Sequence, residues 1–184
     1  MRIIAGEFRG RRLSSPAGRD VRPTSDRARE ALFNILELGL PPVRGARFLD
    51  LFCGTGAVGL EALSRGAAEV LLIESEADAL RVAKSNHERV GAPRNARLLR
   101  QDATRLGPAA AAFDIVFIDP PYRSGLAGSA LECLRRGGWL APEARIVVEL
   151  AADETCQLPE GYELEQERRY GAARFLFLRP TSRK

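Results

Sequence analysis

Phe48-Leu49-Asp50-Leu51-Phe52-Cys53-Gly54-Thr55-Gly56-Ala57-Val58-Gly59 is the stretch that decides the fold. The apolar run from Arg47 to Leu51 has the length and composition of a buried strand. The glycines after it fit the spacing G-x-G-x-x-G, and a helical pattern then runs to about Arg65, closed by Gly66. Such a turn lets the backbone approach a nucleotide closely, and Glu74, twenty residues beyond Gly54, ends the next strand where it can chelate ribose hydroxyls.

Working outward, Glu69 to Glu74 reads as the second strand. Ser75, with Asp78 three residues later, predicts the cap of a helix running to Val90 and Gly91. Ala96 to Arg100 and Asp114 to Ile118 are the next strands, and a helix near Gly128 to Arg136 leads to Arg145-Ile146-Val147-Val148-Glu149. Tyr162 to Arg169 and Arg174 to Leu178 form an antiparallel hairpin about Gly171. Upstream, a helix starts at Thr24 or Ser25 with Ala28, Ala31, Leu32, Ile35 and Leu36 on one face, and ends at Gly39 and Pro41-Pro42. Residues 1–23 read as a small basic hairpin extension, and 24–184 as the α/β domain that it decorates. Strands alternating with helices predict a mostly parallel sheet with helices on both faces. Ligands of such sheets sit at the carboxyl ends of the strands.

The chain has 184 residues, 45% hydrophobic and 28% charged, which suits a globular domain able to bury a core. Cys53, Cys133 and Cys156 are odd in number and scattered, which argues against a disulfide scaffold and a zinc site. No apolar stretch matches a signal peptide or a membrane span, so a cytoplasmic protein without a membrane partner is expected. The charge is segregated. Residues 1–29 carry net +5 and the last seventeen residues net +6, against a total of +4, so the middle is acidic. Arginine-rich ends suggest a surface that faces a polyanion, with Arg9, Arg11 and Arg12 as the candidate phosphate contacts.

The glycine turn alone does not separate a dinucleotide from S-adenosylmethionine, since both carry adenosine. Two acids separate them. Asp50 precedes Gly54 by four residues, where a carboxylate would repel a pyrophosphate but suits the ammonium of a methionine moiety. Asp102-Ala103 follows the third strand and can accept a hydrogen bond from an adenine amino group. With Glu74 these make three acids at three strand ends, a poor phosphate site and a good one for a sulfonium cofactor.

Asp119-Pro120-Pro121-Tyr122 ends the fourth strand. An exocyclic base nitrogen is a poor nucleophile because its lone pair is delocalised into the ring. If the Asp119 carboxylate and the Pro120 carbonyl each accept an N–H, the amino group can pyramidalise and expose that pair. Pro121 stiffens the turn, and Tyr122 can stack on the base plane. A base inside a duplex cannot reach such a pocket, so the target is single-stranded, looped or flipped. His87, the only histidine, lies on a helix rich in Arg and Glu and reads as a surface residue. Cys53 and Trp139 read as packing residues.

These motifs, together with Arg2-Ile3-Ile4-Ala5-Gly6, Arg22-Pro23-Thr24-Ser25-Asp26-Arg27-Ala28-Arg29-Glu30-Ala31-Leu32-Phe33-Asn34-Ile35-Leu36 and Arg169-Tyr170-Gly171, carry a family resemblance over almost the whole chain. The chain resembles the RsmD family of class I, Rossmann-like S-adenosylmethionine-dependent methyltransferases, which act on guanine N2 of 16S rRNA. The resemblance implies a guanine in a loop of 16S rRNA as target and the assembled 30S subunit as substrate; the chemistry needs no metal, and a monomer is expected. It implies Asp119, Pro120, Pro121 and Tyr122 as the target-amine site. It implies Asp50, Phe52, Cys53, Gly54, Thr55, Gly56, Glu74, Ser75, Asp102 and Ala103 as the cofactor site, and adds Arg22 and Thr24 to the RNA contacts. A DNA adenine-N6 or cytosine-N4 methyltransferase is the alternative. Short connections leave it no module for reading several base pairs. An NAD-dependent oxidoreductase and a non-catalytic RNA-binding module are the more distant readings.

Overall fold

The computed structural model describes residues 1–15 and 25–181. Among these, seven strands form one sheet: β1 (Arg47–Leu51), β2 (Glu69–Glu74), β3 (Ala96–Arg100), β4 (Phe113–Ile118), β5 (Leu140–Ala151), β6 (Tyr162–Tyr170) and β7 (Ala173–Pro180). Their order across the sheet is β3-β2-β1-β4-β5-β7-β6. All neighbours from β3 to β5 are parallel, and β7 and β6 run antiparallel to what precedes them. The chain steps outward from β1 to β3 and returns to place β4 on the other side of β1. The crevice of an open α/β sheet opens at such a reversal.

The helices are α1 (Asp26–Leu38), α2 (Ala57–Ser64), α3 (Ala77–Arg89) and α4 (Leu126–Gly137). The Ser25 hydroxyl accepts from the Ala28 N–H at 3.1 Å and starts α1, as the sequence predicts. The α3 start differs. Ser75 does not cap it; the helix begins after Glu76, because the Glu74 carboxylate captures the Glu76 N–H at 2.9 Å. Strand β5 runs further in both directions than the Arg145 to Glu149 expected.

Alternation along the strands divides the core in two. Phe48, Leu72, Ile115, Phe117, Val147 and Phe175 face the side covered by α1, α2 and α3. Leu49, Leu71, Val116, Ile118 and Val148 face α4, together with Ala103, Leu106 and Trp139. The Trp139 indole stacks on Phe113 with ring centroids 6.0 Å apart and donates to the Gly107 carbonyl at 2.9 Å, which makes it a packing residue.

The first fifteen residues dock on α2. A short antiparallel turn, bridged at Arg2 and Arg12, buries Ile3, Phe8 and Leu13 in the first core. Its backbone is received by two polar side chains of α2. The fully buried Glu61 carboxylate accepts the N–H groups of Ile4 at 2.8 Å and Ala5 at 3.0 Å. Ser64 accepts the Phe8 N–H at 2.9 Å and donates its hydroxyl to the Ala5 carbonyl at 2.6 Å. Glu61 also pairs with Arg65 at 2.8 Å and lies 3.7 Å from Arg29, whose side chain is 0% exposed. Arg29 therefore braces α1, and is not part of the basic surface to which the charge count assigned it.

Gly6 has φ +84°, and a Cβ there would lie 1.8 Å from the Ser64 carbonyl oxygen. Gly6→Ala is expected to cost about 2–4 kcal/mol from left-handed backbone and overpacking together. It should lower the urea midpoint at constant slope, and an unchanged midpoint would mean that the arm adds nothing to the fold.

Candidate active site

The turn after β1 is stitched on three sides. The Cys53 N–H donates to the Ile73 carbonyl at 3.0 Å and the Gly56 N–H to the Cys53 carbonyl at 2.7 Å. Phe52 and Gly54 both take positive φ, at 59° and 54°, which turns the chain sharply out of the sheet. Two carboxylates hold the turn at its ends. Glu74 accepts the Gly54 N–H at 2.9 Å, and Asp50 accepts the Gly59 N–H in the first turn of α2 at 2.8 Å. A Cβ at Gly59 would lie 3.0 Å from Leu72 and 3.1 Å from the Asp50 carboxylate, so the third glycine of the motif serves packing between helix and sheet. The fully buried Asn86 on α3 ties the Thr55 carbonyl, at 2.9 Å, to Ser14 of the N-terminal arm, at 2.7 and 3.1 Å.

Alternation also sets the electrostatics. Leu72, Phe48, Phe117 and Val147 all point into the first core. Two residues further along each strand stand Glu74, Asp50, Asp119 and Glu149, on the same face. The carboxyl edge of β2, β1, β4 and β5 thus carries four acids in a row. Asp50 is 1% exposed and Glu149 2%. Burial pushes Asp50 up to about 7, against the Gly59 hydrogen bond and with the help of the Glu74 charge. Asp119 is raised well above the usual carboxylate range by loss of hydration first, then by the charges of Glu149 and Asp50. Cys53 is buried beside the row and its thiol is pushed up, as befits a packing residue.

The Asp119 N–H donates to the Leu51 carbonyl at 3.2 Å, so the Asp119-Pro120-Pro121-Tyr122 turn leaves the sheet beside the glycine turn. Asp119 is half-buried, Pro120 buried and Pro121 exposed. The Tyr122 ring is 38% exposed, and its hydroxyl donates inward to Glu149 at 3.2 Å. An acid, a proline-stiffened turn and an exposed aromatic residue thus stand together at the carboxyl edge of the sheet. Glu149 is the member that the sequence reading did not assign.

A family model described as Conserved hypothetical protein 95 matches residues 1–179. The chain belongs to this family. Among curated relatives it is 41% identical over 170 residues to "Ribosomal RNA small subunit methyltransferase D" of Escherichia coli, covering 91% of this chain and 84% of that one. It is 36% identical over 175 residues to the protein of the same name from Haemophilus influenzae, covering 93% and 89%. Among solved structures it superposes on "Putative methyltransferase yhhF" from Escherichia coli with a TM-score of 0.86, at 36% identity over 100% of this chain and 99% of that one. The family is the RsmD family that the sequence resembles.

The other residues that the family resemblance implies fall as follows. Thr55 and Gly56 are buried in the turn, and Phe52 is half-buried beside it. Ser75 is exposed at the end of β2, and Ala103 is buried after β3. Asp102 is exposed, and its carboxylate accepts the Thr104 hydroxyl at 2.7 Å and N–H at 2.8 Å, which holds its pKa below the usual range. Arg9 and Arg12 are exposed on the arm. Arg11 stacks on Phe8, 4.8 Å from the ring centre, and donates to the Val90 carbonyl at the end of α3, so it fastens the arm as well. Arg22 and Thr24 lie outside the described residues. His87 bonds the Ala96 carbonyl at 2.9 Å, half-buried at the start of β3. Among the described residues no group of three His, Cys, Asp or Glu side chains is placed to hold a metal ion.

A carboxyl raised from 3.8 to about 7 by folding keeps its proton in the folded state across that window. Stability therefore falls as pH rises from about 4 to about 7 and is lowest above it. Asp50→Asn keeps an acceptor for the Gly59 N–H and removes the charge. The variant is expected to be more stable than the parent at pH 8, by up to about 4 kcal/mol, with the gap closing toward pH 4. Parallel stability–pH curves for the two proteins would show that Asp50 is not the group responsible.

Proposed function

We propose that this chain methylates the exocyclic N2 of a guanine in small-subunit rRNA, within the assembled 30S subunit, with S-adenosylmethionine as donor. Family membership at more than a third identity supports an S-adenosylmethionine-dependent rRNA methyltransferase. The amine target is carried by one observation, the Asp119 carboxyl and the Pro120 backbone beside an exposed Tyr122 next to the glycine turn, while guanine N2 and the 30S subunit follow from the family resemblance.

The residues at the crevice fit the cofactor. The glycine turn lies at the carboxyl edge of the sheet, Glu74 and Asp102 are proposed for ribose and adenine, and the row of acids favours a ligand with positive charge. S-adenosylmethionine, when bound, supplies an electrophilic methyl group on a cationic sulfur. Everything else falls to the protein. Tyr122 stacks on a flipped-out base and fixes its plane. The Asp119 carboxyl and the Pro120 carbonyl each accept one N–H of the amine, which directs its lone pair toward the donor. After transfer the amine carries an excess proton, and a carboxyl of raised pKa is a fit acceptor for it when ionised. Orientation and electrostatics account for most of the rate.

Residues 1–23 are read as the RNA-facing extension, with Arg9 and Arg12 for rRNA phosphates and Arg11 shared between RNA and the fold. Arg22 and Thr24, which the family resemblance adds, are proposed as RNA contacts as well. Cytoplasmic placement and a monomer complete the reading, and no helix among the described residues is long and apolar enough to cross a membrane.

Asp119→Ala is expected to lower single-turnover methyl transfer at least a hundredfold. Affinity for S-adenosylhomocysteine, measured by calorimetry, should stay within a few-fold. Loss of both together would make Asp119 a structural residue and remove the proposed amine site.

A further inference from the structure

Of the four carboxyls on the sheet edge, Glu74 and Asp119 have tasks in the function proposed above, and Asp50 holds the first turn of α2. Glu149 has none. It follows Ile146-Val147-Val148 in β5, a run buried throughout. The β4–β5 register pairs Ile118 with Val148, so the next position along each strand sets Glu149 beside Asp119. On its other side Glu149 is paired with Phe175 of β7. Above it lies Tyr122, whose hydroxyl donates to one carboxylate oxygen at 3.2 Å. A carboxylate has about four lone-pair sites and can accept from several donors at once. Glu149 is 2% exposed, so its charge acts at short range with little screening by water.

The position bears on base choice. Glu149 lies on the β5 side of Asp119, so a base stacked on Tyr122 with its amine at Asp119 would present one of the edges beside that amine to Glu149. Guanine has two ring nitrogens beside its exocyclic amine, N1 with a hydrogen and N3 with a lone pair, so only its N1 edge can donate. In adenine and cytosine the single ring nitrogen beside the amine carries a lone pair. A carboxylate there accepts from the guanine N1–H and repels the lone pairs.

We infer that Glu149 is the specificity-determining residue of the amine pocket: its carboxylate accepts the guanine N1–H while Asp119 and Pro120 accept the hydrogens of N2. This rests on the guanine-N2 reading above. It explains how a turn that also suits adenine-N6 and cytosine-N4 can serve one base. Tyr122 then has a double part, since the hydroxyl that fixes Glu149 belongs to the ring that carries the base.

The test uses 2-aminopurine, which keeps the 2-amine but has an acceptor at N1. Small-subunit rRNA is first methylated with labelled S-adenosylmethionine, and the modified nucleotide is mapped. Assembled 30S particles are then prepared with guanine or 2-aminopurine at that position, and kcat/KM is measured for the parent and for Glu149→Gln. The parent is expected to prefer guanine by about tenfold or more, as for loss of a hydrogen bond to a buried charge. Glu149→Gln, whose amide can donate as well as accept, is expected to cut that preference at least tenfold. Its melting temperature and S-adenosylhomocysteine affinity serve as controls for folding. A smaller change in preference in a folded variant overturns the assignment, as does a parent that uses both bases equally, a result that needs no variant. Label found on adenine or cytosine in the first step would instead overturn the guanine reading on which the assignment rests.

Discussion

Four carboxyls stand side by side on one face of the sheet, at the carboxyl edge of β2, β1, β4 and β5. Each lies two residues beyond an apolar side chain that anchors its strand in the core. Strand alternation therefore places the chemistry as a by-product of packing: the register that buries Leu72, Phe48, Phe117 and Val147 also lines up Glu74, Asp50, Asp119 and Glu149. A slip of one residue in any of these strands would send its acid to the opposite face.

So many acids in a partly dry place cost stability, and the surrounding structure offsets part of that cost with backbone donors. Gly54 and Glu76 donate to Glu74, Gly59 donates to Asp50, and the Tyr122 hydroxyl donates to Glu149. These same bonds shape the glycine turn and start α2 and α3. The site and the helices that flank it are thus one construction. The N-terminal arm joins it through Asn86, which holds both Ser14 and the Thr55 carbonyl. The arm is thus linked to the turn through a buried amide.

The strands were legible because each is a short apolar run bounded by a turn signal, and β1, β2 and β3 begin and end where the pattern says. The start of α3 was not, because Ser75 offers a local cap but the longer Glu74 side chain reaches the helix end first. Asp50, Asp119 and Glu74 could be read from their spacing to the glycine and proline turns. Glu149 could not be read that way, since no turn motif follows it and β5 continues to Ala151. The signal that would have found it is an acid inside an unbroken apolar strand, two residues beyond an inward valine. Glu61, Asn86 and Arg29 were hidden for another reason. Arg29 and Asn86 sit among charged neighbours on their helices, Glu61 is a lone acid on an apolar helix, and the partners in the arm and on other helices that bury them are mostly remote in sequence.

The central claim is that this row of acids and the proline turn beside it act on the amine of a guanine. The direct measurement supplies S-adenosylmethionine labelled in its methyl group to 30S subunits from cells lacking this protein, followed by digestion and identification of the labelled nucleoside. The account requires N2-methylguanosine. Label recovered as N6-methyladenosine or N4-methylcytidine, or transferred only to DNA, would contradict it.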